Sequence, residues 1–175
     1  MKIQIPDYIQ VLIDLLNQNG YSAYVVGGAI RNALLELPIH DYDLTTDATP
    51  QEMLQVFSNY RVFQTGIQHG TITVLSNKQP VEITTFRSES IYEDHRHPSG
   101  VLFSKSIEED CKRRDFTINA LCYNNNEGLI DFFGGVDDLH HKIIRCIGNP
   151  HERIDEDALR ILRALRFAGR LSFTI

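Results

Sequence analysis

A four-residue apolar run, Ala23-Tyr24-Val25-Val26, ends directly on Gly27-Gly28, and helical spacing follows at once. That order limits the chain to folds in which a short strand turns into a helix within two residues. Glycine permits such a turn because it lacks the Cβ that closes unusual backbone angles to other residues. Residues 29–35 read as the helix. Backbone N–H groups at a strand-to-helix turn are open to an anion, so Gly27 and Gly28 are candidates for a phosphate cradle. Arg31, one turn into the helix, can reach the same anion. Gly-Gly alone is more often a plain turn; what favours the cradle is its place ahead of Asp41-Tyr42-Asp43.

Those two aspartates fall in a second strand candidate, residues 40–45. Side chains two apart on a strand share a face, with Cα atoms about 6.5 Å apart. Carboxylates so placed can hold a pair of Mg²⁺ ions roughly 4 Å apart, leaving the other positions to water and substrate phosphates. Asp-x-Asp by itself is a weak signal and also reads as a polar turn. Glu82 is a third acid, on a strand whose Val81, Ile83 and Thr85 face the other way. It reads either as a solvated strand glutamate or as a carboxylate near the metals that orients an attacking hydroxyl.

The remaining pattern is mixed. Residues 8–19 carry Ile9, Leu12, Ile13 and Leu16 on one helical face. Thr49-Pro50-Gln51-Glu52 has the form of a capped helix start. Strands are expected near residues 61–64, 71–75 and 81–86, and a mobile loop over residues 87–105. Ser106 and Glu109 form another helix start, and helix is expected again over residues 115–121 and 155–168. In Arg113-Arg114-Asp115 through Asn119, arginine suits a triphosphate, and Asp115 and Asn119 suit sugar hydroxyls. A helix terminus with solvated charges is the plainer alternative.

Asp157 and Arg160 are three apart on the last expected helix and so offer an acceptor beside a donor. Cytosine and adenine match that pair; guanine and uracil reverse it, and a buried mismatch costs about 1–3 kcal/mol per unpaired group. A surface salt bridge is the competing reading. Arg163 lies on the same arginine-rich stretch.

The net charge of −6 argues against a protein that coats nucleic acid, but not against a nucleotide site built on carboxylates. No apolar run approaches the ~20 residues of a membrane span, so no membrane partner is expected. Three cysteines without zinc spacing suggest a reduced, cytoplasmic chain with the thiols as small core residues. His95-x-His97 offers metal-ligand types but sits in the expected loop and is not taken as a site.

Together these segments resemble the class II branch of the bacterial CCA-adding tRNA nucleotidyltransferase and poly(A) polymerase family. The resemblance rests on Val26 through Arg31, Asp41 through Thr45, Arg113 through Ala120, Asp131-Phe132-Phe133-Gly134-Gly135, and Glu156-Asp157 with Arg160. It implies an α+β, polymerase-β-like nucleotidyltransferase head, a mixed sheet with flanking helices, over residues 1–148. Residues 149–175 would begin an all-helical neck, with the rest of neck, body and tail beyond this sequence.

By the same resemblance Asp41 and Asp43 hold the metals, with Glu82 as third carboxylate. Arg114, Asp115 and Asn119 handle ribose and triphosphate, and Asp157 and Arg160 serve as the template for C and then A. Residues 87–104 match the loop associated with adding the terminal A. Asn32 stands where the family usually has an acid, which alters at most a helix contact. The implied partners are the tRNA 3′ end, CTP and ATP. The rivals are a poly(A) polymerase, an A-adding enzyme, and a nucleotide-binding fragment without turnover. Gly66-x-x-His69-Gly70-Thr71 resembles the CCA-adding side.

Overall fold

In the computed structural model, which describes residues 2–88 and 101–175, the amphipathic N-terminal segment forms α1 (Asp7–Gln18). Ile9, Leu12, Ile13 and Leu16 are its buried residues, as the helical spacing requires. Strand β1 (Ala23–Val26) is buried along its whole length and passes through Gly27 into α2 (Gly28–Leu34). Gly27 takes φ 72°, ψ −124°, which a side chain would strongly disfavour. β2 (Asp43–Thr46) and α3 (Pro50–Val56) follow. Thr49 and Glu52 close a capping box at the start of α3, with Pro50 at the first turn.

Strands β3 (Arg61–Phe63), β4 (Thr71–Ser76) and β5 (Gln79–Thr85) form an antiparallel run. After α4 (Ile107–Lys112) and a 3-10 turn at Ile118 come β6 (Cys122–Asn124) and β7 (Gly128–Ile130). Three helices end the chain: α5 (Gly135–His141), α6 (Pro150–Glu156) and α7 (Leu159–Leu171). The seven strands make one mixed sheet, ordered β3-β4-β5-β2-β1-β6-β7, with β2 and β5 its parallel pair. The main core lies between one sheet face and the helices, where Leu44, Ile72, Val74, Val81 and Ile83 meet α1 and Met53 of α3. A smaller cluster on the other face joins Tyr24, Val26, Phe86, Cys111 and Cys122.

Three expectations are corrected. The strand expected over residues 40–45 starts only at Asp43, which pairs with Val26, the last residue of β1 before the chain turns at Gly27. Asp41 therefore precedes the strand. Helix over residues 115–121 shrinks to the 3-10 turn Thr117–Asn119, since Phe116 is extended and bridges Cys146. The helix expected over residues 155–168 is two helices broken at Asp157, whose φ −147°, ψ 100° is extended. β6, β7 and α5 carried too little local pattern to be anticipated. The loop expectation for residues 87–105, and His95 and His97 within it, fall mostly outside the described residues. At its edges Arg87 and Phe103 bridge antiparallel and Ser88 N–H donates to the Leu102 carbonyl at 2.9 Å.

The Asp131-Phe132-Phe133-Gly134-Gly135 motif is structural. Asp131 accepts N–H bonds from Gly135 (2.9 Å) and Val136 (2.9 Å), which opens α5. Gly135 lets α5 touch the 3-10 turn, because an added Cβ there would run into the Thr117 carbonyl. Gly135→Ala is expected to destabilise the protein by about 1–3 kcal/mol through overpacking. Urea unfolding checks it, and an unchanged midpoint would mean that the contact relaxes freely.

Candidate active site

The in-register pairing of β2 with β5 sets Asp43 beside Glu82, so both side chains leave the same sheet face. Asp41 joins them from the segment before β2. The three acids line one cavity of about 310 Å³ with Tyr42, Thr73 and Pro80. Tyr42 packs edge-on against Tyr8 of α1, with centroids 6.3 Å apart, so the residue between the two aspartates is anchored to the fold.

Asp43 also opens onto a larger cavity of about 490 Å³ on the other side. Gly27, Gly28, Arg31, Arg114, Asp115, Asn119, Asp157, Arg160 and Arg163 line it, so every nucleotide-binding candidate from the sequence meets there.

The carboxyl of Asp43 is pushed above the ordinary range by the desolvating cavity walls and by Glu82, with Asp41 adding to the rise and Arg114 opposing it. A site that crowds acids in this way favours a cation. Among the described residues no three His, Cys, Asp or Glu side chains already meet as a metal cage. An all-oxygen set of one or two carboxylates, with room for water and phosphate, suits a hard divalent ion.

Several side chains are held differently from the sequence reading. Gly27 N–H is spent on the Leu121 carbonyl at 3.0 Å, so Gly28 and the next amides of α2 are left to face an anion. Arg31 is buried and donates to Asn119 Oδ1 at 2.6 Å and to Asn32 Oδ1 at 2.9 Å. It is thus part of an internal network rather than a free anion hook. Asn32 also donates to the Pro38 carbonyl at 2.9 Å, a contact an acid could not make.

Asp115 accepts from Asn119 Nδ2 at 3.1 Å and from Arg163 Nε at 2.7 Å. The base-reading pair is not assembled. Asp157 caps α7 by accepting from Leu159 N–H at 3.0 Å, while buried Arg160 donates to Glu156 Oε2 at 2.8 Å and to the Arg153 carbonyl at 2.6 Å. The break at Asp157 removes the regular i,i+3 geometry that the spacing implied.

Two residues outside the sequence-derived site candidates hold the arginines in place. Glu156 holds Arg160 and Arg153 together, each at 2.8 Å. Asp110 is fully buried beneath the arginines. It accepts from Arg113 Nη2 (2.7 Å), Arg114 Nη2 (2.9 Å), Thr45 Oγ1 (3.2 Å) and Arg87 N–H (3.1 Å). Burial pushes its carboxyl up, but the Arg114 and Arg113 guanidiniums more than offset this and leave it below the ordinary range. The one available signal was its spacing, three and four residues ahead of two arginines on a capped helix. Cys111 and Cys122 are buried with sulfurs 3.3 Å apart, as core thiols. Among the described residues, no helix is long and apolar enough to cross a membrane.

The family profile of the poly A polymerase head domain matches residues 23–145. A CCA-adding enzyme of Enterococcus faecalis is 52% identical over 160 residues, covering 91% of this chain and 39% of the relative. Another, from Streptococcus gordonii, is 49% identical over 164 residues, covering 94% and 41%. The chain thus spans about two fifths of the length of these curated relatives. Among solved structures, the Bacillus stearothermophilus CCA-adding enzyme in complex with CTP superposes with a TM-score of 0.87 at 39% identity, over 98% of this chain and 41% of that one. A tRNA nucleotidyltransferase complexed with a primer tRNA and an incoming ATP analog gives 0.74 at 35% identity, over 93% and 46%.

Proposed function

We propose, on the premise that this chain belongs to the poly(A) polymerase head-domain family, that it adds C, C and A from CTP and ATP to the 3′ end of tRNA. The observation that carries this reading is the shared wall at Asp43: an acid-lined cavity on one side and an arginine-rich, nucleotide-sized cavity on the other. The first suits the attacking 3′-hydroxyl and the second the NTP, with the α-phosphorus at their boundary. Residues 1–148 form the head in this reading, and residues 149–175 begin a helical neck. Leu162 and Leu165 of α7, 63% and 58% exposed, suit cover by further neck residues of the kind the longer relatives have room for. A tRNA substrate in a bacterial cell places the protein in the cytoplasm.

Asp41 and Asp43 would hold Mg²⁺. The ion, when bound, would stabilise charge on the phosphate and lower the pKa of the attacking hydroxyl. Glu82 orients that hydroxyl, and Gly28 with Arg114 holds the triphosphate. Asp115 and Asn119 meet the ribose once Arg163 turns from Asp115 to the nucleotide. Asp157 and Arg160 read the base edge, which requires Arg160 to leave Glu156 at least in part. The site thus trades internal ion pairs for substrate contacts.

The test is incorporation of each labelled NTP, with Mg²⁺, into tRNA lacking its 3′ CCA and into tRNA ending in CC. Addition of C, C, A and then a stop, abolished by chelation, is the expected result. Unlimited A addition would make the chain a poly(A) polymerase, and A added only after CC an A-adding enzyme. No addition, together with no binding of CTP or ATP, would end the reading.

A further inference from the structure

Phe167 of α7 stands where the last helix meets the floor of the larger cavity. The guanidinium carbon of Arg31 lies 5.1 Å from its ring centroid and that of Arg163 5.6 Å. Phe116, fully buried, meets the same ring edge-on at 5.9 Å. The polar contacts of those arginines close a circuit. Arg31 donates to Asn119 at 2.6 Å, Asn119 donates to Asp115 at 3.1 Å, and Arg163 donates to Asp115 at 2.7 Å. Phe167 completes it between Arg163 and Arg31.

The buried residues of α7 are Arg160 and Ala164, and Phe167, Ala168 and Leu171 pack partly buried against the main core. Of these, the Phe167 ring meets both Arg31 of α2 and Phe116. A cation held over an aromatic face is drawn by the ring quadrupole, and more strongly when desolvated, as Arg31 is.

We propose that Phe167 is a positioning residue for base selection. This rests on the nucleotide-addition reading above. Its ring, gripped by two guanidiniums, sets the distance from Asp157 and Arg160 to the sheet that carries Asp43. Discrimination by a hydrogen-bonding edge demands placement within about 0.5 Å of the productive geometry. Seven residues separate Phe167 from Arg160, two turns of one rigid helix, so a tilt at the ring reaches the base reader. The ring itself touches no base. It acts through Arg163 and the helix, and a loose helix accepts a wrong edge more readily than it loses the triphosphate.

The measurement is calorimetric binding of CTP, ATP, UTP and GTP with Mg²⁺ to the wild type, Phe167→Leu and Phe167→Tyr, alongside their melting temperatures. Phe167→Leu is expected to lower the CTP-to-UTP affinity ratio about tenfold or more, with CTP affinity itself changing less than that. Phe167→Tyr, which keeps the ring face, is expected to hold the wild-type ratio. A Leu variant with the wild-type ratio, or one weakened equally towards all four nucleotides, would overturn the inference. If the Leu variant does not fold, Phe167→Met removes the ring with a more adaptable side chain and carries the same comparison. A wild type that binds all four nucleotides alike would overturn the base-selection part of the proposed function and this inference with it. A failure confined to the variants touches the inference alone.

Discussion

Asp43→Asn is expected to lower nucleotide addition by on the order of 10³-fold or more while raising the melting temperature of the metal-free protein. The activity loss follows from its place on the wall shared by both cavities. The stability gain follows from its titration. The Asp43 carboxyl is raised by desolvation, by Glu82 and by Asp41, against the pull of Arg114. A carboxyl whose folded pKa lies above its unfolded value contributes stability that is present below the unfolded pKa and lost as pH rises through the folded one. At neutral pH the ionised group is therefore a net cost to the empty fold, and an uncharged amide of the same shape removes it. Each kcal/mol released appears as roughly 2–4 °C in a domain of this size. Mg²⁺ should reverse the order, because an ion bound to the folded state alone stabilises the wild type. Thermal melts with and without Mg²⁺, read beside the incorporation assay, decide it. A variant that stays active, or that gains as much from Mg²⁺ as the wild type does, would remove Asp43 from the metal site.

The second large effect is on folding. Asp110→Ala is expected to cost about 3–5 kcal/mol, the range for removing one partner of a buried ion pair. Asp110 is fully buried and bonds Arg113, Arg114, Thr45 and the Arg87 amide, so its loss strands two guanidiniums under the cavity. Its carboxyl sits below the ordinary range because the arginines outweigh burial. The stabilisation is thus present above the unfolded pKa and fades as pH falls through the folded one. The stability gap between wild type and variant should accordingly be full near neutral pH and narrow once the pH drops below about 4. Denaturant midpoints across that range test it. A gap that does not change with pH would point to lost packing rather than lost charge.

Much of the candidate site was legible because its signals are local or repeat along a strand. Asp41, Asp43, Glu82, Arg114, Asp115 and Asn119 all reach the paired cavities, and the Gly27-Gly28 turn stands at their edge. What could not be read was how these groups are held. Arg31 bonds Asn119 across 88 positions and Thr45 bonds Asp110 across 65, and no pattern in a short window encodes such partners. Asp110 carries no local mark beyond its spacing to Arg113 and Arg114. Nothing in local spacing sets Phe167 apart from Leu162 and Leu165, which are exposed.

The sequence by itself determined the elements whose stability is local. The Thr49 capping box, the buried stripe of α1 and the strand alternation of β4 and β5 arise from residues within a few positions of one another. Tertiary structure alone decided where β2 begins: at Asp43, which pairs with Val26 of β1 and Glu82 of β5, partners distant in the chain. It also decided the break at Asp157. There, a carboxylate that caps α7 and a buried arginine drawn to Glu156 outweigh the gain from one continuous helix. Local order follows from propensity and capping, whereas boundaries and side-chain commitments follow from which distant groups must satisfy one another once water is excluded.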